Sequence, residues 1–183
     1  MWRDGPLARA IREGAICYLD EVVEARPDVL TVIHPLTDDR RMLPLERLGE
    51  ELSCPDEFLM VISYNPGYQS VTRELKESTR QRFVSIAFDY PEPEVEAEIL
   101  AQEAGCDATL AATLVRLGQA SRKLRSHGLE EGASTRLLVY AASLVQAGLP
   151  LADACEATIV HSLTDDAEMA RALQELVRSV LGS

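Results

Sequence analysis

Two apolar runs in the first half of the chain end in polar residues that are suited to chemistry. Ala15–Leu19 leads directly into Asp20 and Glu21, and Phe58–Ser63 leads into Asn65. Continuous apolar runs are typical of strands that are buried on both faces of a parallel sheet. Ligands of such sheets bind beyond the carboxyl ends of the strands. We therefore expect the two acids and the asparagine to lie at one edge of a sheet.

The rest of the first half predicts short helices, a hairpin and one more strand. The predicted elements are helices over Pro6–Glu13, Pro27–Leu36 and Thr72–Gln81, hairpin strands over Met42–Leu48 and Glu50–Cys54, and a third strand over Phe83–Phe88. Pro44 confines the first hairpin strand to a sheet edge, because proline has no N–H to donate.

The pattern changes at Tyr90-Pro91-Glu92-Pro93, and every segment after it has helical periodicity. Leucines at helical spacing in this half indicate the core of a helical subdomain. The predicted helix starts are Asp107, Ser134, Pro150, and either Thr164 or Asp165. We therefore predict an α/β region over residues 1–90 and an all-helical region over residues 91–183.

Composition narrows the class of protein. The chain has 183 residues and a formal net charge of -12, which argues against a general nucleic-acid binder. Its apolar runs are far shorter than the roughly 18 residues that suggest a membrane span, so no membrane insertion is expected. The four cysteines and three histidines show no metal-ligand spacing. Reduced, structural thiols in a cytoplasmic protein are the expectation.

The acids and the asparagine match the needs of nucleotide hydrolysis. Asp20 could hold Mg²⁺ through its water shell, and Glu21 could orient or deprotonate an attacking water. The Asn65 amide could hydrogen-bond both a phosphate and that water. Two structural alternatives remain: the acids cap the next helix, or Asn65-Pro66-Gly67 is simply a turn.

Three arginines are candidate phosphate ligands, because a guanidinium presents a rigid fork of donors. Arg80 and Arg82 precede the predicted third strand, and the alternative for both is a solvated helix face. Arg136 lies in the first turn of a helix, where the macrodipole disfavours a cation. A bound phosphate would offset that penalty. The alternative is an ion pair with Glu130 or Glu131.

The order of these motifs resembles that of AAA+ ATPases, and one clade in particular, the CbbQ/NirQ/NorQ group of MoxR-type proteins. The likeness covers essentially the whole chain, and Ile62–Gln69 is its most specific stretch. The other matching stretches are Asp4–Leu7, Gly14–Glu24, His34–Arg41, Ser78–Phe83, Gly132–Leu138 and Leu163–Asp166.

The resemblance implies a fold and a set of roles. The fold is a partial AAA+ P-loop NTPase core, with a parallel sheet and flanking helices, followed by an all-helical lid. The implied roles are a Walker B pair at Asp20 and Glu21, sensor 1 at Asn65, an arginine finger at Arg82 with Arg80 beside it, and sensor 2 at Arg136. ATP and Mg²⁺ are the implied cofactors. The implied assembly is a hexameric ring that works with a von Willebrand factor A partner to activate a metalloenzyme, either Rubisco or nitric oxide reductase.

One departure from the family pattern is large. The phosphate loop G-x-x-x-x-G-K-[ST] should precede the first residue, and no Gly-Lys pair occurs in the chain. We therefore expect Met1 to fall inside an AAA+ domain, and this chain alone not to hydrolyse ATP. A non-catalytic interaction module, using the hairpin and the helical lid, is the alternative function.

Overall fold

A computed structural model of the chain describes residues 3–65 and 75–182. Residues 66–69 of the most specific stretch lie outside the described residues, as do residues 72–74 of the predicted helix Thr72–Gln81.

The chain divides into two compact units, residues 1–87 and 88–183. The sequence-based boundary after residue 90 lies close to this division. The first unit contains all the strands of the described residues, and the second is helical. This is the α/β core followed by a helical region that the sequence predicts.

The first unit contains a small parallel sheet and a separate hairpin. Its elements are α1 (Pro6–Glu13), β1 (Ile16–Leu19), α2 (Pro27–Val32), β2 (Met42–Leu45), β3 (Glu50–Ser53), β4 (Leu59–Ile62) and α3 (Glu77–Arg80). Strands β1 and β4 are parallel, and their register pairs Leu19 with Ile62 at the carboxyl ends. Strands β2 and β3 are antiparallel, which confirms the predicted hairpin.

In the part of the chain that the structure describes, the parallel sheet is buried on one face only. Cys17 packs into the core of the unit, whereas Ile16 and Tyr18 on the opposite face are 66% and 57% exposed. Their partners in the register, Leu59 and Val61, are also exposed. The prediction of burial on both faces is therefore wrong. The apolar run correctly identifies the strand. Among the described residues, however, the apolar core packs against only one face of the sheet.

The predicted third strand over Phe83–Phe88 is also wrong. Val84, Ile86 and Phe88 are 95%, 76% and 91% exposed, and the segment belongs to no strand. A strand needs a neighbour to pair its backbone N–H and C=O groups. Among the described residues, β1 and β4 pair only with each other, so this segment has no ladder to join.

Two predicted helices are shorter than the pattern suggests. Helix α2 ends at Val32, and a separate 3₁₀ turn follows over His34–Leu36. Pro35 is the second residue of that turn, and a proline cannot donate the backbone hydrogen bond that a continuous helix needs. Within the described part of Thr72–Gln81, only Glu77–Arg80 is helical. The preceding Leu75 is instead buried beside the 3₁₀ turn that follows the sheet edge.

The second unit is built from packed helices. Its elements are α4 (Pro93–Ala104), α5 (Ala108–Lys123), α6 (Thr135–Gln146), α7 (Leu151–Cys155), a π-helical stretch (Glu156–Val160), α8 (His161–Leu163) and α9 (Ala167–Leu181). Its fully buried large apolar side chains are Leu100, Leu114, Leu117, Leu138, Ile159 and Leu173. Each such side chain contributes about 1.5–3 kcal/mol by burial. The helical leucine spacing therefore marks a core, as predicted.

Two of the predicted helix caps are confirmed and one is wrong. The side chains of Asp107 and Ser134 each accept a backbone N–H from the first turn of the helix that follows. The last helix is capped by Asp166, whose carboxylate accepts two backbone N–H groups, and not by Thr164 or Asp165. The Thr164 hydroxyl instead accepts the backbone N–H of Asp166.

The four cysteines are free thiols, as the scattered spacing predicts. Cys155 is fully buried in the helical core. Burial disfavours the charged thiolate and raises the pKa of Cys155 to about 11. The side chain therefore acts as a small apolar group.

Candidate active site

The candidate site lies at the carboxyl ends of β1 and β4. Because Leu19 and Ile62 are register partners, Asp20 and Ser63 emerge side by side. The Ser63 hydroxyl donates a hydrogen bond of 2.5 Å to Asp20 Oδ1. The Tyr18 hydroxyl donates a second one, of 2.8 Å, to the same oxygen. An open groove of about 410 Å³ is lined by Tyr18, Asp20 and Glu21, among others.

Both hydrogen bonds stabilise the charged form of Asp20. The Ser63 hydroxyl makes the largest contribution and the Tyr18 hydroxyl the next, and together they lower the pKa of the Asp20 carboxyl below its usual value. Asp20 is therefore a carboxylate at neutral pH. Mg²⁺ is usually held by one or two carboxylates, several waters and the substrate phosphates. A single ionised carboxylate at a groove fits that donor set.

Glu21 has an unusual backbone conformation. Its φ of 48° and ψ of 46° lie in the left-handed region, which few residues other than glycine adopt. This conformation costs about 1–2 kcal/mol for an L-residue with a side chain. The Glu21 N–H donates to Ser63 Oγ at 3.1 Å, and the next N–H, of Val22, donates to Ser63 O at 2.9 Å. Ser63 thus fixes the turn that presents the exposed Glu21 side chain.

The next residues explain how the turn is held. Val22 and Val23 are buried with Leu75 in a small apolar cluster under the 3₁₀ turn Val22–Glu24. Burial of two valines offsets the backbone cost at Glu21. Strained residues at such positions are typical of functional sites, although strain alone assigns no role.

Asn65 lies two residues beyond Ser63 and is exposed. It follows β4, so the structure places it at the same sheet edge as Asp20 and Glu21. This is the placement that the sequence predicts. The roles of these three residues in hydrolysis stay predictions.

Arg80 and Arg82 are exposed at the end of α3. The Arg82 guanidinium donates to the backbone carbonyl of Ser78. Thr79, the residue before Arg80, is buried, and its hydroxyl lies 3.0 Å from His34 Nε2. This contact holds α3 against the 3₁₀ turn that His34 begins. Within the described residues, no hydrogen bond or ion pair joins Arg82 to the acids of the sheet edge.

The electrostatic surroundings of His34 reflect the same packing. Burial is the main cause that lowers the pKa of His34, and the nearby positive charge of Arg82 lowers it further. The imidazole is therefore neutral at physiological pH and available for the hydrogen bond with Thr79.

Arg136 is exposed at the second position of α6, in the helical unit. Its role as sensor 2 stays a prediction. The alternative partners, Glu130 and Glu131, form no ion pair with it in the part of the chain that the structure describes. The residues around it are engaged instead: Ser134 caps α6, and the Thr135 hydroxyl donates to Glu96 at 2.7 Å.

Sequence reasoning missed two groups of residues. The first group is Ser63 and Tyr18, whose hydroxyls bind Asp20. Aligning the carboxyl ends of the two predicted parallel strands could have identified Ser63 as a neighbour of Asp20. Glu96 and Arg122 were missed for a different reason. They lie 26 positions apart in the sequence, yet Arg122 forms an ion pair with the fully buried Glu96 at 2.6 Å.

Among the described residues, no helix is both long enough and apolar enough to cross a bilayer. The same residues contain no group of three or more histidine, cysteine or carboxylate side chains placed to hold a metal ion.

Comparison with known families assigns both halves of the chain. Residues 1–83 match the AAA domain (dynein-related subfamily), and residues 96–180 match the CbbQ/NirQ/NorQ C-terminal family. These matches agree with the fold, a small parallel sheet with flanking helices followed by a helical region.

Individual relatives lead to the same assignment. The chain is 57% identical to protein NorQ of Paracoccus denitrificans over 182 residues, which covers 100% of this chain and 67% of that protein. It is 57% identical to the denitrification regulatory protein NirQ of Pseudomonas aeruginosa, covering 96% of this chain and 68% of NirQ. It is 55% identical to protein CbbQ of Hydrogenophilus thermoluteolus, covering 98% of this chain and 67% of CbbQ. The chain thus spans about two thirds of the length of these relatives. It belongs to the CbbQ/NirQ/NorQ family of AAA+ proteins.

Proposed function

We propose that this chain belongs to an ATP-hydrolysing AAA+ remodelling subunit. It supplies the residues at the sheet edge that hydrolyse ATP, the arginine finger and the helical lid. The supporting observation is the convergence at one sheet edge of Asp20, Glu21 and Asn65, with Ser63 fixing both acids. A parallel strand pair that presents acids at its carboxyl ends is the usual position for a nucleotide ligand in this fold class.

Each residue has a chemical task in this proposal. Asp20, ionised and oriented by two hydroxyl donors, binds the water shell of Mg²⁺, and the ion neutralises phosphate charge when it is bound. Glu21 accepts a proton from the attacking water, and the Asn65 amide orients that water.

The arginines act at a distance from this edge. Arg82 of one subunit reaches the site of its neighbour, where its guanidinium stabilises the negative charge of the transition state. Such a contact raises kcat by a factor of roughly 10³–10⁵. Arg82 is exposed two residues after the end of α3, which leaves it available for such a contact. Arg136 binds the phosphates from the lid and couples lid movement to hydrolysis.

Glu21 is the sharpest test of the hydrolytic part. The chain is extended at its N-terminus with a family phosphate-loop segment, and ATP turnover is compared between the parent, Glu21→Gln and Glu46→Gln. A general base contributes about 10²–10⁴ in rate. We therefore expect Glu21→Gln to lower kcat at least about a hundredfold with little change in the Kd of ATP.

Glu46→Gln is the matched control, because Glu46 is exposed in the hairpin turn. It should keep the parent kcat. ATP turnover that survives Glu21→Gln at the parent rate would remove Glu21 from the role of base. Titration of the 183-residue chain itself with ATP and Mg²⁺ separates the two functions proposed from the sequence, since micromolar binding contradicts a purely non-catalytic module.

The assembly and client belong to the same proposal: a hexameric cytoplasmic ring that acts with a von Willebrand factor A partner on a metalloenzyme. The likeness to NorQ, NirQ and CbbQ supports a role linked to an enzyme. The chain is almost equally similar to all three, at 57%, 57% and 55% identity, so the identities favour neither Rubisco nor nitric oxide reductase as the client. Two reactivation assays identify the client, one with inhibited Rubisco and one with metal-depleted nitric oxide reductase. Each assay contains the extended chain, ATP and the von Willebrand factor A partner. Sedimentation with and without ATP tests the ring.

A further inference from the structure

A buried polar cluster lies in the helical unit. Glu96 on α4 is fully buried, and both of its carboxylate oxygens accept hydrogen bonds from Arg122 on α5, at 2.6 and 2.9 Å. Isolated charges of this kind are costly to bury, so such a pair is kept only where its donors and acceptors are satisfied. Here they are satisfied by one particular segment of the chain.

That segment is the approach to α6. The Arg122 Nε donates to the carbonyl of Ala133 at 3.0 Å, and the Thr135 hydroxyl donates to Glu96 Oε1 at 2.7 Å. The Tyr90 ring stacks on a face of the guanidinium, with its centroid 3.7 Å from Arg122 Cζ. The pair thus contacts the backbone immediately before α6 and the first side chain of that helix.

Two further contacts fix the same backbone. The Ala133 N–H donates to the buried Ser121 hydroxyl at 2.9 Å. Gly132 lies so close to α5 that a Cβ there would approach Arg122 Cα to 2.5 Å. A contact that short with backbone admits only glycine. The segment Gly132–Thr135 is therefore held on α5 by backbone approach, hydrogen bonds and a buried ion pair together.

We propose that Glu96, Arg122 and Thr135 are positioning residues for Arg136, the next residue of α6. This rests on the proposed function, in which Arg136 binds nucleotide phosphate. A cation in the first turn of a helix is opposed by the helix dipole and by its own rotamer entropy. A clamp on the preceding residues fixes the backbone from which the guanidinium projects. Arg122 itself is not the phosphate ligand, because its side chain is only 11% exposed and its fork is occupied by Glu96.

The first experiment needs no nucleotide. Amide hydrogen exchange is measured on the 183-residue chain for Thr135→Val, which removes the hydroxyl but keeps the shape. Loss of a hydrogen bond to a charged group should speed exchange of the Ala133, Leu137 and Leu138 amides by about tenfold or more. Thr158→Val is the matched control, since its hydroxyl donates to the carbonyl of Ala154, four residues earlier in the chain, and not to the polar cluster. It should leave those amides unchanged.

The second experiment asks whether Thr135 acts through Arg136. The Kd of ATP is measured on the phosphate-loop-extended chain for Thr135→Val, Arg136→Ala and the double variant. If the clamp works by orienting the arginine, Thr135→Val weakens binding about tenfold in the parent and has no effect once Arg136 is alanine.

The outcomes separate the two ideas. Unchanged exchange in Thr135→Val rejects the clamp even if Arg136→Ala weakens ATP binding. Additive effects on the Kd show that Thr135 acts independently of Arg136, and also overturn the proposal. Should Arg136→Ala leave ATP binding intact while exchange is accelerated, the error lies in the proposed function of Arg136. The clamp then orders α6 without serving nucleotide binding, and the positioning role is rejected.

Discussion

Replacing Glu96 with leucine while Arg122 is retained should strongly destabilise the helical unit. The change leaves a guanidinium that is only 11% exposed without its carboxylate, and it removes the acceptor of the Thr135 hydroxyl. Breaking a buried pair by removing one partner costs about 3–5 kcal/mol, because the other charge stays buried without compensation. We expect a loss in that range.

The double variant Glu96→Leu/Arg122→Met gives the informative comparison. It removes both charges and so avoids the uncompensated guanidinium. What it still loses is the hydrogen bond to Ala133 O, the hydrogen bond of the Thr135 hydroxyl to residue 96, and the contact of the cation with Tyr90, about 1 kcal/mol each. The double variant should therefore lie about 3 kcal/mol below the parent. It should remain more stable than the Glu96→Leu single variant, which loses the Thr135 bond and also keeps an uncompensated buried charge.

Urea unfolding followed by circular dichroism at the helical band measures these differences, with unchanged m-values showing that the native and unfolded states remain comparable. Arg122→Met alone completes the cycle and leaves the fully buried Glu96 unpaired. The reasoning is refuted if the loss in the double variant equals the sum of the two single losses, because that additivity means that the two charges do not compensate each other.

Two other predictions concern packing and charge. Gly132→Ala should cost about 1–3 kcal/mol by overpacking against the Arg122 backbone. Gly118→Ala should cost less, since its new Cβ meets side-chain atoms of Leu138 and Arg122 rather than backbone. Parallel urea melts give both values, and equal losses would contradict the distinction. Arg40 lowers the pKa of the Asp38 carboxyl to about 2 through a side-chain hydrogen bond. The stabilisation from this pair is therefore complete above pH 4 and is lost as the pH falls from about 4 to about 2. NMR titration of Asp38 should show its pKa rising toward 3.8 in Arg40→Gln, and an unmoved titration would exclude Arg40 as the cause.

The parts of the fold that depend on local pattern could be predicted from the sequence. The helical leucine spacing identifies the core of the second unit, and the side chains of Asp107 and Ser134 begin helices where their chemistry predicts. The hairpin follows from its apolar segments and the turn at Gly49, a residue with a φ of 64°. Each of these features depends on residues close together along the chain.

Strand assignments went wrong where the outcome depends on neighbours. Phe83–Phe88 has the composition of a strand, but a strand exists only when another segment pairs with it, and none of the described residues does. The apolar residues of β1 likewise predict two covered faces, whereas the described core lies against one. The composition of a segment shows that it is able to form a strand. Whether it forms one depends on a neighbouring segment that can pair with its backbone.

The sequence by itself determined the family, the two-part organisation and the candidate residues at the sheet edge, because motif order and strand-end position are properties of the chain. Only the tertiary structure showed that Ser63 binds Asp20, and that Glu96 meets Arg122 beneath the start of α6. These pairs join residues that are far apart in sequence. Their geometry depends on strand register and helix packing, which arise only when the whole chain is folded.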